Sequence, residues 1–125
     1  MRNHSLNNVL GAVLVVVGVA LCVNPELVSN KPVPDTVFEA IERRIWWGLF
    51  IGAGVLLWWR HTLQPWLATL AAASAAALFG LLVARLIGIA LDGSVAKQWV
   101  YVGIEVFLLV VAVVWYRRVL ARAAA

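Results

Sequence analysis

Two ionisable side chains stand inside runs that are otherwise apolar. Arg85 lies in "LLVARLIGIALDGS" (81–94) and Glu105 in "YVGIEVFLL" (101–109). A guanidinium stays cationic in proteins, and its fork of N–H donors matches a carboxylate. Either charge alone at the centre of a membrane helix costs roughly 2.5–3.5 kcal/mol on insertion scales. Each residue therefore calls for the other. The short segment "DGSVAK" between them reads as a turn, and Val95, midway between the two positions, falls within it. In an antiparallel hairpin, positions equidistant from the turn are level, so the spacing predicts an Arg85–Glu105 ion pair.

The neighbours extend this pair. Arg85, Gly88 and Asp92 follow i, i+3, i+7 on one helix, as Gln98, Tyr101 and Glu105 do on the next. Two polar stripes then face each other, with Gly88 leaving space between them and Arg43 and Arg44 closing the top. One role for such a cluster is a buried pair that fixes helix register. Another is a pocket of Arg85, Asp92, Gln98, Tyr101 and Glu105, open to the outer side, that holds a lipid or small amphiphile. Glu105 or Asp92 could also serve a membrane enzyme as acid or base. A proton or ion path fits less well, because the first span carries no acid and the inner half offers no polar continuation.

The elements that must position these residues are membrane spans. Of 125 residues, 64% are hydrophobic and 13% charged. A soluble domain of that size cannot hide so much apolar surface. A span needs about 20 apolar residues. The stretches Leu6–Val23, Ile45–Trp59, Trp66–Leu91 and Trp99–Tyr116 meet or approach that length. The expected fold is all-α: an integral-membrane, antiparallel four-helix bundle with short loops, forming one domain over 1–125. The longest polar segment, "NPELVSNKPVPD", falls between the first two helices and holds three of the four prolines. Pro25 ends the first helix, since proline lacks the amide donor and disfavours helical geometry before it. "ALCVN" is a poor cleavage site, so the first segment is kept as a helix of the mature protein.

After the polar segment, Thr36 and Glu39 have the spacing of a capping box. Val37, Phe38 and Ile41 fall on one side of that helix, and Glu39, Glu42 and Arg43 on the other. It reads as an extension of the second span, in preference to a separate interfacial helix. The second span carries Gly48 and Gly52, a GxxxG pair that lets another helix approach. Its tryptophans, with Trp66, Trp99, Tyr101, Trp115 and Tyr116, form aromatic belts at both membrane faces. The alanine run in "LATLAAASAAALFG" offers a smooth contact surface, and Gly93 suits a left-handed cap after Asp92.

Charge and composition exclude several classes. The formal charge is +4, but the basic residues sit at span ends rather than on a soluble reading surface, so nucleic acid is not a partner. The lone Cys22 excludes an internal disulfide or dithiol relay. His4 and His61 lie outside the spans and far apart, so no haem, metal or other cofactor is implied. One side carries Arg2, Arg60, Arg117, Arg118 and Arg122, and the other carries Lys31, Arg43, Arg44 and Lys97. With the positive-inside bias, both termini are expected in the cytoplasm.

The segments "ERRIWWGLFIGAGVLLWW", "VARLIGIALDGS" and "GIEVFLL" resemble an uncharacterised bacterial family of small four-helix membrane proteins, a domain of unknown function distantly similar to DoxX-like proteins. The likeness covers about residues 10–118, and Arg85, Asp92, Gly93 and Glu105 are its specific part. It implies a four-helix bundle and supplies no activity. The expected protein is thus a non-enzymatic, multi-pass protein of the bacterial inner membrane. It would bind a membrane lipid or small amphiphile through the outer polar pocket, or assemble there as a homo-oligomer or with a membrane-protein partner. A transporter or channel subunit and a membrane enzyme are the alternatives.

Overall fold

The computed structural model describes residues 2–25, 36–60 and 65–124. The polar segment with Glu26, Lys31 and Asp35, and also His61, lie outside the described residues. What is described is all-helical: α1 (Arg2–Val23), α2 (Val37–Ile45), α3 (Gly48–Trp59), α4 (Trp66–Asp92) and α5 (Ala96–Ala124). Three of these helices, α1, α4 and α5, are long and apolar enough to cross a membrane. Such helices belong to a membrane protein. Their outer faces fit that solvent: Val16 is 68% exposed and Phe107 is 66% exposed. Water would penalise that much bare apolar surface.

Small residues decide the packing. Helix α4 touches every other helix. Its buried face is Ala68, Ala71, Ala72, Ala75, Ala76, Gly80, Ala84 and Gly88, with Arg85 set among them. On α3, a Cβ at Gly48 would strike the backbone of Gly80, and one at Gly52 would strike that of Ala76. Gly54 does the same work on a second face of α3, where a Cβ would meet Val15 and the backbone of Gly11. So α3 is clasped between α1 and α4 at near backbone-to-backbone distance, where dispersion contacts are densest.

Two local details differ from the sequence reading. The segment after Thr36 does not run into α3 as one regular α-helix. The Thr36 hydroxyl accepts from the Glu39 amide at 3.1 Å and starts α2. At Trp46 and Trp47 the bonds tighten to the three-residue kind, with Trp47 N–H donating to Arg44 O at 3.2 Å and Phe50 N–H to Trp47 O at 3.2 Å. This 3₁₀ step lets α2 lay Ile41 on α4 while α3 lays its glycines there. Secondly, Gly93 has φ 120° and ψ 165°. That is a glycine-only extended region rather than the left-handed helical cap, and it turns the chain sharply from α4 into α5.

Candidate functional site

The polar residues gather at one end, where α2, α4, α5 and the last turn of α1 meet. Arg85 is 8% exposed and Glu105 is 8% exposed. Arg85 Nε donates to Glu105 Oε1 at 2.5 Å. Its Nη1 donates to Glu42 Oε1 at 2.9 Å and also to Gln98 Oε1. Gln98 is fully buried, and its Nε2 donates to Glu42 Oε1 at 3.1 Å and to the Phe38 carbonyl at 3.3 Å. The Arg85 guanidinium stands 5.0 Å from the ring centre of Tyr101, a cation–π distance. Tyr101 lies 6.0 Å from Phe38, and Lys97 Nζ sits 5.3 Å from the Phe38 ring. The second carboxylate oxygen of Glu105 is buried without a hydrogen-bond partner.

A second knot adjoins the first. Arg44 grips Asp92 with both arms of its fork, Nε to Oδ2 at 2.7 Å and Nη2 to Oδ1 at 3.0 Å. Its Nη1 donates to the Cys22 carbonyl at 2.8 Å and to the Val23 carbonyl. Those carbonyls end α1, where the helix has no amide left to bond them. Asp92 ends α4, where a carboxylate opposes the negative end of the helix dipole. One guanidinium therefore offsets two helix C-termini and a carboxylate, and ties α1, α2 and α4 together.

The Arg85–Glu105 pair is present, level across the hairpin turn. Other placements differ from the sequence reading. Asp92 does not join Arg85; it pairs with Arg44, because α2 brings a guanidinium closer. Gly88 leaves no space, since Ile41 fills it: a Cβ there would meet Ile41 Cγ2 at 2.9 Å. Among the described residues these side chains bond to one another. Hollows of about 360 Å³ at Trp46, Trp47 and Phe50, and of about 520 Å³ at Trp66, Val119 and Arg122, contain none of these residues. Glu42 is the participant the sequence reading missed. The helical pattern alone sets it among the outward charges of its helix. A signal existed: Phe38, Glu42 and Ile45 share a face at i, i+4, i+7, and an arginine on the buried face of α4 needs acceptors from each packed neighbour. Among the described residues, no group of three or more His, Cys, Asp and Glu is placed to hold a metal ion.

The family model described as Domain of unknown function (DUF4345) matches residues 6–116. The chain belongs to this family. The match takes in every residue of both knots. No curated protein and no solved structure matches the chain. The family description attaches no activity, so the geometry of the knots carries the functional argument.

Proposed function

We propose that this family member is a multi-pass protein of the bacterial inner membrane that recognises an amphiphile, or a partner's polar group, at the Arg85–Glu105 knot on the outer side. Helices α1, α4 and α5 make three crossings. Helices α2 and α3 together make the fourth: α3 alone has 12 residues, about 18 Å of rise, and α2 supplies the missing length. The four then run antiparallel, with both termini in the cytoplasm. The acids Glu39, Glu42, Asp92 and Glu105 fall in the half away from the termini, and Arg117, Arg118 and Arg122 fall in the terminal half. Lysine and arginine near span ends bias a segment to the cytoplasm. A periplasm-only reporter fused after Ala125 should be silent, and activity there would reverse the orientation.

One observation carries the recognition reading. Three helices converge a guanidinium, two carboxylates and an amide inside an apolar assembly, and the Glu42 side chain, 36% exposed, connects them to the outside. Ionisable groups at such depth are rare and mark functional sites by default. Native mass spectrometry from nanodiscs tests the reading. The wild type should retain lipid, and Arg85→Met with Glu105→Leu should lose it. Equal retention by the two proteins would show that the knot serves register alone.

A further inference from the structure

Among the described ion pairs of the Arg85 knot, one guanidinium faces two carboxylates. Arg85 contributes +1, while Glu42 and Glu105 contribute two negative charges. The neighbouring Arg44–Asp92 pair is neutral in itself. The Lys97 ammonium is turned onto the Phe38 ring rather than onto either glutamate. Arg85 Nε and Nη1 and Gln98 Nε2 serve Glu105 Oε1, Gln98 Oε1, Glu42 Oε1 and the Phe38 carbonyl. Glu105 Oε2 is left buried with nothing donating to it, on a side chain that is nine-tenths buried. Leaving a buried acceptor unmade costs more than a typical bond contributes. A group that donates a hydrogen bond to Glu105 Oε2 and carries positive charge would complement both features.

Resting on the recognition reading above, we infer that Glu105 and Glu42 together accept a primary ammonium group, the head group of an ethanolamine-type phospholipid or of a single-chain amine. An ammonium has three donors, enough for Glu105 Oε2 and Glu42 at once, and its charge neutralises the knot. A quaternary choline head group carries the charge but no N–H, so it cannot reach Glu105 Oε2 with a hydrogen bond. A phosphoglycerol head group adds negative charge to a site that already has an excess. The way in is beside Glu42. That residue rides on α2, a helix of nine residues, joined to α3 by the 3₁₀ step at Trp46 and Trp47. A 3₁₀ step of this kind is a common site of hinge movement, and a shift of α2 there is the access the proposal requires.

The test uses the full chain in nanodiscs of equal parts phosphatidylethanolamine, phosphatidylcholine and phosphatidylglycerol, read by native mass spectrometry. The wild type should retain phosphatidylethanolamine about tenfold over the other two, the ratio expected from one charge-assisted hydrogen bond. Glu105→Gln keeps the shape and the Arg85 acceptor, removes the charge and puts a donor where the vacant acceptor was. It should drop retention to the bulk lipid ratio and lower the melting temperature less than Glu105→Leu does, because Arg85 keeps its acceptor, and Glu42→Gln should lower retention by a smaller factor. Dissolved ethanolamine that displaces the lipid from the wild type, but has no effect on Glu105→Gln, assigns the same site to free amines as well. Retention without head-group preference that Arg85→Met/Glu105→Leu abolishes would overturn the ammonium assignment and leave the recognition site standing. Retention unaltered by any variant would overturn both.

Discussion

The two ends of this helix assembly are held together by different chemistry. At the α2 end, Arg85 and Arg44 are enclosed and held by charged or charge-assisted bonds: Arg85 with Glu105 and Glu42, Arg44 with Asp92 and two carbonyls. At the other end, the described contacts run through aromatic rings. Trp59 meets Tyr116 edge-on at 4.5 Å. Arg60 donates to the Tyr116 hydroxyl at 3.1 Å and stands 5.5 Å from its ring. Trp58 Nε1 donates to the Asn8 carbonyl at 2.9 Å. No acid occurs there in the sequence, and Arg117, Arg118 and Arg122 follow. The difference separates two uses of arginine. An arginine at a wet interface can snorkel and needs no carboxylate. One buried between helices must be given its counter-charges by the fold, and the fold must bring them from different helices.

If that contrast is right, the largest effect should follow from Arg44→Ala. It strands Asp92 at a helix C-terminus and frees two α1 carbonyls, so a loss of about 3–5 kcal/mol is expected. Thermal unfolding in lipid would show it. A change within error would mean that water replaces the guanidinium and the end is less enclosed than described. Next comes the glycine seam that joins both ends. Gly48→Leu should cost about 1–3 kcal/mol or more, since the added atoms meet the Gly80 backbone rather than a movable side chain. An unchanged melting temperature would place that face away from α4. The smallest effect is at the aromatic end. Tyr116→Phe keeps the Trp59 contact and removes the Arg60 bond, for roughly 0.5–1.5 kcal/mol at most. A loss as large as that of Arg44→Ala would erase the distinction between the ends.

The parts of this account that the sequence discloses are those governed by a single symmetry or a single solvent. The Arg85–Glu105 pair follows from hairpin symmetry alone, because a short turn leaves only one register. The three long apolar helices follow from composition. What was not legible depends on the third dimension. Asp92 shares a helical face with Arg85, and nothing local tells that Arg44 will reach it first. Glu42 sits on a short amphipathic helix whose polar side could as well face solvent; its direction is set by Ile41 seating against Gly88. The 3₁₀ step at Trp46 and Trp47 has no proline or glycine ahead of it to announce it. It arises because α2 and α3 present different residues to the same helix. The same holds for the space expected at Gly88, which Ile41 fills: stripes mark which residues can meet, while packing decides what is left between them.

The central claim is that the α2 end is held by mutual dependence between Arg85 and Glu105. A double-mutant cycle with Arg85→Met, Glu105→Leu and the pair together, read as unfolding free energy in lipid, measures that dependence directly. Each single change leaves the opposite charge enclosed and should cost about 3–5 kcal/mol, whereas removing both can be nearly neutral. In the double variant Glu42 keeps access to solvent, since its side chain is 36% exposed. The account predicts a double variant more stable than either single one, with a coupling of at least about 2 kcal/mol. Additive single effects would contradict it.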